Sequence, residues 1–165
     1  MNKKTLKDID VKGKRVLVRC DFNVPIDKAG NITDDIRITS SLPTINYLLD
    51  KGSSVILMSH LGRPDGEPNQ KYSLKPVAER LSALLNKNVI FEDCDIVVDD
   101  NVKSDSAKLL PGDVMLLQNT RFKKEETKNG DAFAKDLSSL GDIFVNDAFG
   151  TAHRAHSSNV GICKY

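Results

Sequence analysis

The chain has few cysteines and almost no net charge, and both shortages narrow what it can be. Its 24 basic and 23 acidic residues leave a formal charge of +1, so no global field attracts nucleic acid or an anionic membrane. The three cysteines, Cys20, Cys94 and Cys163, are widely spaced and odd in number, which argues against a disulfide framework or a structural zinc site. Any anion site must therefore be local, and a reducing compartment fits the cysteine usage.

Two further absences concern membranes and nucleotides. No run approaches the roughly 18 apolar residues of a membrane-spanning helix, and no apolar segment follows the Asn2-Lys3-Lys4 start as a secretory signal requires. The chain has neither a G-x-x-x-x-G-K-[ST] loop nor a G-x-G-x-x-G turn, so it carries no recognisable nucleotide-phosphate cradle. We therefore predict a cytoplasmic monomer that binds neither membranes nor nucleic acid and holds no cofactor itself.

What the sequence does contain is a regular alternation of short apolar runs and helix-length segments. At 165 residues with 39% hydrophobic content, one domain spanning 1–165 is expected. The runs are Arg15–Cys20, Ser54–Met58, Asn88–Phe91, Asp113–Leu117 and Asp142–Val145. The second and fourth are nearly continuous in apolar residues, which indicates strands covered on both faces. The pattern predicts an α/β fold: a doubly wound, mostly parallel sheet with helices on both faces, a Rossmann-like three-layer sandwich.

Four helices are predicted between these strands. The first has an apolar face of Ile38, Leu42, Ile45 and Leu49 and ends near Gly52. Because proline is tolerated best in a first turn, its regular part is expected to begin close to Pro43, with 36–39 as a lead-in. The second is capped by Ser73 and buries Leu74, Val77, Leu81 and Leu84. Residues 99–109 have a weak helical pattern, and Phe133, Leu137 and Leu140 before Gly141 predict the fourth.

Polar residues follow four of the predicted strands. These strand exits are 21–25, 59–64, 118–122 and 146–154, and ligands of open α/β sheets bind beyond the carboxyl ends of strands. Three of the seven arginines, Arg63, Arg121 and Arg154, lie in these exits, and Arg37 lies at the entry to the first helix. None of the 17 lysines lies in the four strand exits. Because the guanidinium fork matches phosphate and carboxylate oxygens, this division predicts an anion site.

Each of these residues also has a less specific interpretation. A single loop arginine is more often a solvated charge or the partner of a nearby carboxylate, although three on successive exits weaken that alternative. Asp21 and Asn23 are also typical turn residues that satisfy local backbone donors before Pro25. Cys20 lies in a buried-strand pattern, which favours a small core residue over a nucleophile.

The sequence contains one candidate metal set, built around its three histidines. His60, His153 and His156, with Asp147, would form the set, but the stretch around His153 has no supporting pattern of second ligands. A hydrogen-bonding or cationic histidine is therefore favoured, and we predict no metal site. A histidine-based metallohydrolase stays as an alternative that a metal analysis would test.

Five ordered blocks, read together, resemble the N-terminal domain of the phosphoglycerate kinase family. They are Arg19–Pro25, Asp35–Ile38, Ser59–Pro64, Leu116–Phe122 and Asn146–His156, and the likeness extends over essentially the whole chain. Members of that family are roughly two and a half times longer and have two domains. The resemblance implies that this chain is the substrate-binding domain only, that the C-terminal domain holding Mg-ATP or Mg-ADP is absent from it, and that the chain is inactive alone.

The resemblance also implies a role for each matching residue. His60, Arg63, Arg121 and Arg154 would hold the phosphate of 3-phosphoglycerate or 1,3-bisphosphoglycerate, and Asp21 and Asn23 would contact its hydroxyl and carboxylate end. Gly62 belongs to the same substrate-binding set. Arg37 would be the catalytic residue nearest the phosphoryl group in transit. Two positions depart from the family pattern: Cys20, where valine is more common, and Gln118, where glutamate is usual. Neither is implied to be a substrate contact.

Two classes of function are consistent with these residues. In the first, the chain is the acid-binding part of a glycolytic kinase, a phosphotransferase with a carboxyl acceptor. In the second, it is a stand-alone module that binds phosphorylated acids without catalysis. Adding the missing domain discriminates them, because only the first gains turnover from it.

Overall fold

The predicted parallel sheet is confirmed by the structure. The computed structural model describes residues 10–124 and 130–147. Its sheet has five parallel strands in the order β3-β4-β2-β1-β5. They are β1 (Arg15–Arg19), β2 (Ser54–Met58), β3 (Ile90–Glu92), β4 (Val114–Leu117) and β5 (Ile143–Asn146). All five lie within a residue or two of the apolar runs that predicted them.

Helices cover both faces of the sheet, as predicted. The described residues contain α1 (Ile36–Asp50), α2 (Lys75–Leu85), α3 (Asp100–Ala107) and α4 (Asp131–Ser138). Alternate residues of each central strand enter two separate cores: Val55 and Leu57 pack with α1 and α2, whereas Ile56 and Met58 pack with α3 and α4. This burial on both faces explains why β2 and β4 are continuously apolar.

The predicted start of α1 is wrong. The helix begins at Ile36, and Pro43 lies inside it. The missing N–H of Pro43 removes the bond that would go to the carbonyl of Thr39, an interior cost of about 3 kcal/mol. The helix stays continuous because Ile38 on one side of the proline, and Ile45 and Leu48 on the other, are fully buried against the sheet, while Pro43 is exposed.

The other helix ends agree closely with the prediction. Gly52 follows α1 in the left-handed region at φ +83°. The predicted cap of α2 is displaced by one residue: the N-cap is Leu74, which makes no side-chain cap bond, although the Ser73 hydroxyl before it accepts from the Lys75 N–H at 3.2 Å. The Asp99 carboxylate caps α3 by accepting from the Val102 N–H at 2.8 Å. These local signals depend on short-range chemistry, which is why the sequence carries them.

All five strands are parallel, so their carboxyl ends lie along one edge of the sheet, which we call the rim.

No described helix is long and apolar enough to cross a membrane.

Candidate functional site

The exit of β1 and the first turn of α1 bring three predicted residues together. Arg37 donates from Nη1 to the Asn23 carbonyl at 2.8 Å and lies 3.3 Å from Oδ1 of Asp21. The same Asp21 oxygen accepts from the Asn23 N–H at 3.1 Å. Asp21 therefore satisfies a local backbone donor, as its interpretation as a turn residue predicts, and it also pairs with Arg37. Arg37 keeps half of its side chain exposed, at 50%, so its guanidinium retains access to solvent.

The exit of β2 is joined to the exit of β1. The Gly62 N–H donates to Oδ1 of Asn23 at 2.9 Å, and the buried Ser59 hydroxyl accepts from the Phe22 N–H at 2.9 Å. Gly62 has a φ of +61°, and a Cβ there would overlap the Tyr72 ring. Only glycine meets both constraints, so the turn before Arg63 is defined locally by sterics. Arg63 itself is exposed.

The exit of β4 completes the connection. Thr120 donates its N–H to the Ser59 carbonyl at 3.1 Å. Arg121, in a short 3₁₀ turn at Thr120–Phe122, is half-buried and extends Nη1 toward the Gly62 carbonyl at 3.4 Å. A continuous chain of polar contacts therefore runs from Arg37 through Asn23 and Gly62 to Arg121, across the exits of three neighbouring strands.

Sequence reasoning missed Arg19 at the rim. This arginine is the last residue of β1 and is fully buried. It donates from Nη1 to the Cys20 carbonyl at 3.2 Å, and its Nη2 lies 3.1 Å from Nδ1 of His60. Because a guanidinium can only donate, Nδ1 of His60 is the acceptor and the ring proton is on Nε2. The signal was present, since an arginine ending an apolar strand such as Val16-Leu17-Val18 calls for a polar partner.

His60 is 6% exposed, so this predicted residue lies under the rim instead of projecting from it. The cationic Arg19 next to it adds positive charge beneath the same exits. Together with Arg37, Arg63 and Arg121, it makes the rim above β1, β2 and β4 electrostatically suited to an anion.

Two groups near the site, Cys20 and Asp147, have a raised pKa. Burial, followed by the nearby Asp147 carboxylate, raises the pKa of the Cys20 thiol. The thiol therefore stays protonated, and its complete burial confirms the core role predicted for it. Burial also raises the pKa of Asp147, and the hydrogen bond from the Thr44 hydroxyl at 3.3 Å offsets part of that rise.

Three predicted residues lie outside the described part of the chain: Arg154, His153 and His156. The convergence of Arg63, Arg121 and Arg154 stays a prediction: Arg121 contacts the carbonyl of Gly62, which precedes the exposed Arg63, and Arg154 lies outside the described residues. Within residues 10–124 and 130–147, no group of three or more His, Cys, Asp or Glu side chains is arranged to hold a metal ion.

Two cavities adjoin these elements. One of about 380 Å³ lies between 23–30, 61–62 and 70–76, and its walls include Asn23 and Gly62. A larger, open groove of about 700 Å³ lies between 30–35 and α2 and contains none of the predicted site residues. The smaller cavity is the one connected to the chain of polar contacts, because it shares two of its members.

The chain is similar to proteins of one family in both sequence and structure. The family model described as phosphoglycerate kinase matches residues 6–165. The phosphoglycerate kinase of Finegoldia magna is 62% identical over 165 residues, which make up 100% of this chain and 42% of the relative. That of Clostridium botulinum strain Hall is 61% identical over 164 residues, 99% of this chain and 41% of the relative.

Solved structures give the same result. The phosphoglycerate kinase of Coxiella burnetii has a TM-score of 0.84 and 40% identity, covering 97% of this chain and 39% of that one. The enzyme of Pyrococcus horikoshii OT3 has a TM-score of 0.83 and 35% identity, covering 95% of this chain and 39% of that one. The chain thus spans about two fifths of the length of the relatives that it matches.

Proposed function

Because the chain belongs to the phosphoglycerate kinase family, we propose that it binds the acid substrate of a kinase that transfers a phosphoryl group reversibly between 1,3-bisphosphoglycerate and ADP. The products of that glycolytic reaction are 3-phosphoglycerate and ATP. The observation that carries the proposal is the polar chain from Arg37 to Arg121, which joins the exits of β1, β2 and β4 into one cationic rim.

The proposed roles follow the chemistry of each side chain. Arg63, Arg121 and Arg154 hold the phosphate of the substrate, because guanidinium groups bind phosphate oxygens in a bidentate way, and His60 contributes its ring from beneath the rim. Asp21 and Asn23 contact the hydroxyl and carboxylate end. Arg37 pairs with Asp21 in the structure and keeps half of its side chain in solvent, so it is available to approach a second charged group.

The residues of the rim suit transfer to a carboxylate. Such an acceptor is already ionised at neutral pH, so the reaction needs no general base. What it needs is positioning and stabilisation of the charge that develops on the moving phosphoryl group, and arginines supply both. The nucleotide and its magnesium are proposed to bind in the part of the relatives that lies beyond the stretch matched here, and the setting is proposed to be the cytoplasm.

In the first experiment, this chain is titrated with 3-phosphoglycerate, and binding is measured by calorimetry or by NMR amide chemical shifts. Replacing Arg121 by alanine is expected to weaken binding by roughly ten- to a hundredfold, since a charge-assisted contact contributes about 1.5–3 kcal/mol. Arg15→Ala is the matched control, because Arg15 pairs with Asp142 at the opposite edge of the sheet. Equal loss in both variants, or no binding by the parent chain, would refute the proposed site.

A second experiment separates a kinase part from a stand-alone binding module. The chain alone is expected to show no ATP-dependent phosphorylation of 3-phosphoglycerate, and activity is expected when the C-terminal portion of the Finegoldia magna relative is supplied. Turnover by the chain alone contradicts the proposal. Unchanged affinity and no turnover after the addition would favour the binding module.

A further inference from the structure

Asn119 lies at the exit of β4 and is fully buried. Its amide uses its whole hydrogen-bonding capacity. Nδ2 donates to the Leu61 carbonyl at 2.7 Å and to the Tyr72 carbonyl at 2.9 Å. Oδ1 accepts from the Leu61 N–H at 3.2 Å and from the Arg121 N–H at 3.0 Å. A primary amide has two donor hydrogens and two acceptor lone pairs, so none is left over.

The partners of Asn119 lie on three segments that meet at the rim. Leu61 lies between His60 and Gly62 in the exit of β2. Tyr72 precedes α2, and its ring occupies the space that a Cβ on Gly62 would take. Arg121 carries the guanidinium that reaches the Gly62 carbonyl. One side chain thus joins the backbone of the His60–Arg63 loop to the turn that presents Arg121.

The neighbouring Gln118 provides a comparison within the same strand exit. It is also fully buried and uses both ends of its amide: Nε2 donates to the Ser73 hydroxyl and to Asp93, both at 3.0 Å. Its Oε1 accepts from the Leu74 and Asn119 N–H groups at 3.0 and 2.9 Å. Asn119 and Gln118 are therefore equally buried and make the same number of side-chain hydrogen bonds. The side chain of Gln118, however, reaches the start of α2 and the exit of β3 and not the His60–Arg63 loop.

We propose that Asn119 is a positioning residue that holds the His60–Arg63 loop and the Arg121 turn in the one arrangement that binds a phosphorylated acid. The inference rests on the proposed function of the rim. Asn119 itself does not touch the ligand. It acts by keeping guanidinium groups from two strand exits at a constant separation, which bidentate and multidentate anion binding requires.

The test is Asn119→Asp in this chain, titrated with 3-phosphoglycerate and with inorganic phosphate. The substituted side chain is isosteric and keeps the acceptor for the Leu61 and Arg121 N–H groups. It loses both donors and turns an oxygen toward the Leu61 and Tyr72 carbonyls, so their repulsion displaces the loop relative to the Arg121 turn. We expect affinity for both anions to fall about tenfold or more, the loss associated with a charge-assisted contact.

Gln118→Glu is the control, because it makes the same amide-to-acid change at equal burial one residue away. It is expected to lower the denaturation midpoint but to change anion affinity by less than about twofold when binding is measured at equal folded fraction. If Asn119→Asp does not fold, Asn119→Ser replaces it, since a hydroxyl still accepts from the Arg121 N–H but does not reach Leu61 or Tyr72.

A double-mutant cycle distinguishes positioning from general destabilisation. If Asn119 acts through Arg121, then Arg121→Ala costs much less affinity in the Asn119→Asp background than in the parent chain. Additive losses, or equal effects of Asn119→Asp and Gln118→Glu, overturn the positioning role and leave the proposed function standing. Failure of the parent chain to bind either anion overturns both.

Discussion

The rim of the sheet has two halves of opposite character. The basic half, above β1, β2 and β4, carries Arg19, Arg37, Arg63 and Arg121. The acidic half, beyond the edge strand β3, carries Glu92, Asp93, Asp95, Asp99 and Asp105. In the basic half, three guanidinium groups donate to backbone carbonyls, those of Cys20, Asn23 and Gly62. Each of these three guanidinium groups is therefore partly compensated by the dipole of a backbone carbonyl.

In the acidic half, Asp99 accepts from the Val102 N–H and Asp93 accepts from Gln118, but Glu92 lies beside Asp105. Burial, with a hydrogen bond and the charge of Asp105, raises the pKa of Glu92 to about 7. The carboxylates there repel one another directly, whereas the guanidiniums are separated by carbonyls. The comparison teaches that neighbouring carboxylates at the edge of the sheet raise the pKa of one of them, whereas the buried guanidinium at the centre of the sheet is held by hydrogen-bond acceptors.

Gln118 marks the boundary between the two halves. Its Nε2 donates to Oδ1 of Asp93 at 3.0 Å, while its backbone follows β4 into the basic half. A glutamate at position 118 would place its carboxylate opposite the carboxylate of Asp93, whereas the amide donates to it.

The largest effect is expected from breaking the basic half at Gly62. Gly62→Ala places a Cβ in the Tyr72 ring and forces alanine to a φ of +61°. Left-handed strain and overpacking together are expected to lower the free energy of unfolding by about 2–5 kcal/mol, measured by urea denaturation. Anion affinity should fall as well, because the turn carries Arg63.

Gly30→Ala is the control for this substitution. Gly30 has a similar φ of +87° but nothing within 4 Å of the Cβ position, so only backbone strain applies. Its cost is expected to be about 1–2 kcal/mol. Adding Tyr72→Ala to Gly62→Ala should remove the steric part; equal costs for Gly62→Ala and Gly30→Ala would show that the Tyr72 contact is unimportant.

An intermediate effect is expected at the boundary. Gln118→Glu removes the donors to Ser73 and Asp93 and brings two carboxylates together, which is expected to cost about 1–3 kcal/mol of unfolding free energy near neutral pH. The cost should shrink as the pH falls, because protonation of the introduced carboxyl restores one donor. Thermal melts between acidic and neutral pH measure this trend.

A compensating substitution sharpens the same test. Asp93→Asn in the Gln118→Glu background should recover much of the lost stability, because it supplies a donor opposite the new carboxylate. If the free energy of unfolding is not recovered, the hydrogen bond from Gln118 to Asp93 is not the reason for the loss of stability in Gln118→Glu.

The smallest effect is expected in the acidic half. The pKa of Glu92 is about 7 in the folded chain against an ordinary value of 4.5, so the folded state binds the extra proton between these values. Stability contributed by that proton is present below about pH 4.5, is lost as the pH rises, and is absent above about pH 7. Glu92→Gln should therefore stabilise the chain above pH 7 by about 1 kcal/mol or less, since solvent screens this half-exposed group.

Glu67→Gln, at an exposed glutamate away from this cluster, is the matched control and should leave the pH dependence of the melting temperature unchanged. A Glu92→Gln variant whose melting temperature depends on pH as steeply as that of the parent chain between pH 5 and pH 8 would contradict the raised pKa of Glu92.

Local patterns predicted much of the fold and of the candidate site. The apolar runs located all five strands, since burial on both faces requires continuous apolar residues in β2 and β4. The rule that ligands bind beyond carboxyl ends then selected Asp21, Asn23 and Arg121 without coordinates. The start of α1 was mispredicted because the local rule for proline ignores the packing of Ile38 and Ile45 on either side.

Strand positions, helix stops and the cationic exits were decided by residue chemistry acting within a few positions along the chain. The sheet order was decided by tertiary structure, and with it the neighbours of each exit. Because hydrogen bonds such as those from Asn119 to Leu61 and from Arg19 to His60 join residues more than 40 positions apart, only the folded chain brings their partners within reach.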